Sequence, residues 1–161
     1  MDMEVRLDFL RQLLKNMNVS SCVITCPGQR IPPEIDLNFR ANLFGIQNYS
    51  DFLQNSMSEA RDQTLYRFYD EYDCNYIFLR LPAQDSYFFI GPYLLMLPPE
   101  QRVCQRAAAL GLSREQSDYM RMYYTSLPLI DDENLLLTMA NTFAATLWGS
   151  PEQYAMEYVD Y

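Results

Sequence analysis

Histidine is missing from all 161 residues of this chain. Its absence removes the commonest general base, the commonest metal ligand and the only side chain that unaided changes charge near neutral pH. Glycine is scarce, with five in total, so a phosphate-cradling loop is not expected, and no nucleophile elbow or metal-binding helix is present. Bases are few: 12 against 21 acids, a net charge of −9. From Asp131 to Tyr161 there are six acids and no Lys or Arg. A phosphate backbone is gripped by clustered cations. DNA contact is therefore expected only through a C-terminal domain absent from this chain, beyond Tyr161. Long apolar runs are also lacking, which argues against a membrane span. The start, Met-Asp-Met-Glu, has neither the basic region nor the apolar stretch of a signal peptide. The cytoplasm is the expected compartment, with reduced thiols. Cys22, Cys26, Cys74 and Cys104 are scattered. Cys22 and Cys26 alternate with Val23 and Thr25, so they read as small core hydrophobes, and a C-x3-C pair without histidine is no zinc set. No metal, cofactor or enzymatic activity is expected.

What the chain has in abundance is aromatic residues, gathered in three consecutive runs: Thr64–Tyr72, Asn75–Leu81 and Tyr87–Leu95. Aromatic and β-branched residues suit a pleated, half-buried surface, so the runs predict three strands. Short turn-forming links, Tyr72–Asn75 and Pro82–Ser86, predict antiparallel hairpins. Strand alternation puts Ile77 and Leu79 with Ile90 on one aliphatic face. It puts Tyr76, Phe78 and Arg80 with Tyr87, Phe89 and Tyr93 on the other. Gly91-Pro92 inside the third run predicts a bulge or bend that re-aims Tyr93 and leaves the register of the last pairing open by one residue.

The flanks read as helix. Leu7, Leu10, Leu14 and Met17, widened by Phe9 and Leu13, predict a helix over 3–17, with Arg6, Arg11 and Lys15 solvated. Ser20–Cys26 reads as a strand stopped by Pro27-Gly28. The stretch 29–62 is irregular, with a short helix over Tyr49–Met57. Pro98-Pro99 opens a helix burying Val103, Cys104, Ala107 and Ala108 and closed by Gly111. Ser113 with Gln116 makes a capping box for the next helix, which carries the stripe Tyr119, Met120, Tyr123 and Tyr124 as core or subunit interface. Asp131 or Asp132 caps a helix through Leu136, Phe143 and Leu147, stopped by Gly149. Ser150–Gln153 predicts a last, acidic helix running to the end of the chain. The 161 residues are thus read as one domain over 1–149, followed by the start of a connecting helix over 150–161.

Arg67 and Arg80 are the two cations inside the apolar strands. Each reads either as edge-exposed or as an anion-binding fork within a mostly apolar pocket. Tyr66, Tyr76, Tyr87 and Tyr93, each a ring with one polar tip, fit such a pocket and fit a packed core equally well. The candidate ligand-binding set is Tyr66, Phe68, Tyr76, Phe78, Arg80, Tyr87, Phe89 and Tyr93. Carboxylate pairs Asp70-Glu71 and Asp131-Asp132 read as a strand end and a helix start.

The order Asn75-Tyr-Ile-Phe-Leu-Arg-Leu-Pro82, Tyr87-Phe-Phe-Ile-Gly-Pro-Tyr-Leu94, Tyr123-Tyr-Thr-Ser-Leu-Pro128 and Leu147-Trp-Gly149 resembles the N-terminal regulatory region of AraC-type transcription regulators from Gram-positive anaerobes. The resemblance implies an α+β fold of GAF/PAS type, a central antiparallel sheet with flanking helices. It also implies a cytoplasmic sensor that binds a small effector, forms a homodimer and controls a helix-turn-helix pair.

Two functions are therefore expected in competition. In the first, an effector sits between the aromatic face and the 29–62 cover, Arg80 selects an anionic or strongly polar molecule, and Arg80→Ala abolishes the response without unfolding the chain. In the second, the chain is a ligand-free dimerisation or docking module using the leucine stripe of the first helix and the tyrosine stripe.

Overall fold

The structure, a computed structural model, describes residues 2–25, 33–45, 60–82, 86–148 and 155–160. Helix α1 (Met3–Asn16) leads into strand β1 (Ser21–Thr25), a 3-10 turn (Pro33–Asp36) and the short helix α2 (Phe39–Phe44). Strands β2 (Thr64–Tyr69), β3 (Asn75–Arg80) and β4 (Ser86–Tyr93) follow. Helices α3 (Glu100–Ala109), α4 (Arg114–Ser126) and α5 (Glu133–Trp148) come next, then strand β5 (Ala155–Asp160). Together they form an α+β fold around a five-stranded sheet in the order β1-β4-β3-β2-β5. Among the described residues, no helix is long and apolar enough to cross a membrane.

The three aromatic runs are antiparallel neighbours, β2 with β3 and β3 with β4. The last element differs from expectation. Where a helix was read over 150–161, the described part is β5, lying parallel to β2 with Ala155 opposite Thr64 and Asp160 opposite Tyr69. The sheet is thus mixed rather than wholly antiparallel. A local capping motif is a weak prior, and an open strand edge offering a ladder of backbone partners outweighs it.

Helix ends follow the sequence closely. Ser113 Oγ accepts from the Gln116 N–H while Gln116 Oε1 accepts from the Ser113 N–H, a complete capping box. At the start of α5, Asp132 is the cap, its carboxylate accepting the Asn134 N–H. On α3, Val103 and Ala107 are buried, but Cys104 and Ala108 face solvent, so the buried stripe is narrower than predicted.

Each sheet face has its own core. Leu65, Ile77, Leu79, Phe88 and Ile90 pack under α1 (Leu7, Leu10, Leu14) and α5 (Leu136, Ala140, Phe143). Tyr66, Phe68, Tyr76, Phe78, Tyr87 and Phe89 pack under the 3-10 turn, α2, α3 and α4. Residues 33–45 therefore share the aromatic cover with Val103, Met120, Tyr123 and Tyr124, which the sequence reading did not assign there. The helix expected over Tyr49–Met57 lies outside the described residues.

Tyr93 is the one candidate that changes face. Asn75 pairs with Tyr93 and Ile77 with Ile90, so β4 carries one more residue than β3 between these pairs. Such a bulge reverses the alternation beyond it. Tyr93 lands in the aliphatic core with Leu14 and Ile130.

Candidate functional site

Seven of the eight candidates share one face, as alternation predicts, but six of them are filled by one another. Tyr66, Phe68, Tyr76, Phe78, Tyr87 and Phe89 are each at most 4% exposed. Phe78 stacks between Tyr66 and Phe89 with centroids 4.9 Å away on both sides. The Tyr66 hydroxyl accepts the Arg61 N–H at 2.7 Å, which closes the strand's near end. Arg80, opposite Tyr87, is half-buried with its Nε 3.6 Å from the Asp62 carboxylate. Arg67 is neither a snorkelling edge group nor a free fork. Its Nε and Nη2 donate to both oxygens of Glu133 at 2.7 and 3.0 Å, fastening β2 to α5.

The tyrosine stripe is core. Phe39 of α2 stacks on Tyr123 at 4.0 Å and 6° between planes, and Tyr124 donates to the Tyr72 carbonyl at 2.8 Å. Met120, Tyr123 and Tyr124 are buried and Tyr119 is partly exposed, so the stripe packs chiefly as core.

Beneath α2 lies a charged cluster that the sequence reading missed. Arg40 Nη1 donates to Asp36 at 3.0 Å, and Nη2 donates to Asp70 at 3.1 Å and Glu71 at 3.3 Å. The Asp36 and Asp70 side chains are 0% and 1% exposed, so this is a buried ion triad rather than a surface pair. Asp70 also accepts the Tyr72 and Cys74 N–H groups, both at 2.9 Å, shaping the β2–β3 turn. Burial pushes the Asp70 carboxyl up to about 6, against the pull of Arg40 and the Cys74 N–H. The Arg40 guanidinium lies 4.9 Å from the Tyr72 ring centre. This arrangement clamps residues 33–45 onto the sheet. Glu71, at its edge, is the member that reaches solvent.

The two larger of the cavities described lie elsewhere. The first, about 840 Å³, is an apolar groove between α1 and α5, walled by Val5, Phe9, Leu13, Met139 and Phe143. Phe9 and Leu13, read as widening the buried stripe, are 67% and 38% exposed there. Their signal was present in the sequence: the apolar arc from Val5 to Met17 is wider than one packing contact needs. The second, about 890 Å³, is a polar crevice where α1 passes the start of β1. The eight candidate residues line neither cavity. Among the described residues, no group of three His, Cys, Asp or Glu side chains is placed to hold a metal ion. No protein-family model, curated protein or solved structure matches this chain.

Proposed function

We propose that the chain is a regulatory sensor domain of AraC type, working in the cytoplasm as a homodimer and controlling a helix-turn-helix domain that follows it. The observation that carries this reading is the α1–α5 groove, where Val5 and Phe9 stand 53% and 67% exposed on a domain whose two cores are otherwise closed. An apolar face of that kind marks an interaction surface. The resemblance of the strand and Tyr-x-x-Leu-Pro segments supports the regulatory assignment. In this reading α1 and α5 couple the dimer contact to the sheet they cover, and an effector shifts the population of one sheet–helix arrangement.

The dimer is tested by sedimentation equilibrium of the wild type and of Phe9→Asp. The wild type should sediment as a dimer at micromolar concentration. The variant should sediment as a monomer with unchanged far-UV circular dichroism, because Phe9 contributes little to the monomer's core. A monomeric wild type overturns the homodimer.

A second reading, a docking module with no small ligand, is favoured by the closed packing of the aromatic face. Thermal shifts against a metabolite panel separate the two, since a ligand that binds only the folded form raises the melting temperature. Arg80→Ala belongs in the same experiment. Loss of a ligand-induced shift with the fold intact would put the effector at Arg80.

A further inference from the structure

Almost every described cation in this acidic chain is spoken for. Arg40, Arg61, Arg67, Arg80, Arg102, Arg106 and Arg121 each face a carboxylate. Arg6 donates to the Thr146 carbonyl at 2.7 Å. Arg11 and Lys15 are different. Among the described residues neither side chain makes an ion pair or hydrogen bond, and both line the crevice of about 890 Å³. Arg114, at the start of α4, is the other such cation among the described residues and is exposed like Arg11 and Lys15, but it lines neither cavity. Spacing of four residues brings Arg11 and Lys15 together on one helix face, where like charges disfavour the helix unless an anion lies between them. The crevice is within the size range of small-ligand sites.

Its uncharged lining mixes apolar Val19, Leu37, Leu127 and Pro128 with groups that recognise hydroxyls: Gln12, Asn18, Ser20 and Ser21. Asp8 and Glu34 also line it. They match the two cations in number, so the lining is formally neutral; they accept hydroxyl hydrogens and limit the crevice to one anionic group seated at the cations. Cys22 sits in the same lining with its thiol pushed up to about 11 by burial, so it adds no charge and no nucleophile.

We propose that this crevice binds a small polyhydroxylated organic anion. Its one phosphate or carboxylate is held between Arg11 and Lys15, and its neutral hydroxylated body lies against Gln12, Asn18, Ser20 and Ser21. As an effector site it rests on the sensor reading; as a binding site it does not. It differs from the Arg80 face in position and in chemistry, since the anion here meets two cations rather than one among rings.

Lys15 is the single lysine of the chain, which makes the test direct. Acetylation of Lys15 by N-hydroxysuccinimidyl acetate is followed by peptide mass spectrometry, beside calorimetric titration with glucose 6-phosphate, gluconate, glucose and inorganic phosphate. One of the two sugar anions should bind saturably and slow Lys15 acetylation by about tenfold or more, whereas glucose should do neither. Which sugar anion binds distinguishes phosphate from carboxylate. Arg11→Ala and Lys15→Ala should each weaken binding about tenfold or more, roughly one charge-assisted contact, with unchanged melting temperature. Inorganic phosphate binding as well as either sugar anion would reduce the crevice to an adventitious ion only and overturn the proposal. So would binding by neither sugar anion, or undiminished binding by both variants. Saturable binding that leaves the dimer equilibrium unmoved would keep the site and remove the sensor reading.

Discussion

Replacing Arg40 with methionine should lower folding stability by about 3–5 kcal/mol, the usual cost of leaving a buried charge without its partner. The guanidinium is 5% exposed and neutralises Asp36 and Asp70, both sealed from water. Methionine fills much of the volume but answers neither carboxylate. A pH signature separates this electrostatic loss from a packing loss. Asp70 is already raised from 3.8 to about 6 by burial, and removing Arg40 takes away the largest influence holding it down. An acid raised in the folded state binds its proton more tightly there than in the unfolded chain. Its contribution to stability therefore falls as pH rises from the unfolded value toward the folded one. The variant's deficit relative to wild type should thus be smaller near pH 5 than near pH 8. Urea midpoints at the two pH values measure it, and Arg40→Met combined with Asp70→Asn should recover part of the loss. Equal deficits at both pH values would assign the effect to packing instead.

Gly91→Ala should cost roughly 3 kcal/mol, combining a backbone conformation that L residues avoid with overpacking in a closed sheet. Gly91 has φ +128°, and a Cβ there would stand 2.7 Å from the Asn75 carbonyl oxygen and 3.3 Å from the Tyr76 Cα. Both are backbone atoms of the central strand, so no side chain can swing aside. The bulge that carries Tyr93 into the aliphatic core depends on this close approach. Thermal unfolding of Gly91→Ala measures the cost. A variant as stable as wild type would mean that the bulge relaxes without resistance.

The parts of the fold legible in the sequence are those whose signal is local. Leucines three and four apart gave α1, the Ser113/Gln116 reciprocity gave the start of α4, and aromatic runs with short links gave β2, β3 and β4. Alternation placed Tyr76, Phe78, Tyr87 and Phe89 together; it failed at Tyr93, where the irregularity signalled by Gly91-Pro92 is a bulge that inverts everything after it. Strand β5 was not legible because its partner lies far away in sequence. Its six residues have no period long enough to outweigh the capping motif ahead of them. Arg40 and Asp36 were hidden for a similar reason. Their roles come from Asp70, thirty residues beyond Arg40, and no periodicity announces a buried ion triad. Arg11 and Lys15 read as ordinary solvated helix charges. Only the crevice they line, in a chain where most other described cations are paired, sets them apart.

The parallel pairing of β2 with β5 also bears on how the chain emerges during synthesis. Ala155, which pairs with Thr64, is made 91 positions later, a delay of roughly 5–20 s at ordinary translation rates. Throughout that interval the outer edge of Thr64–Tyr69 has hydrogen-bonding groups and no strand to meet them, a template for pairing with another nascent chain. Arg67 stands in the middle of this edge, and its own partner Glu133 is also made late. Until then that ion pair cannot form, and a cation in an aromatic strand stands where a gatekeeper residue discourages premature association.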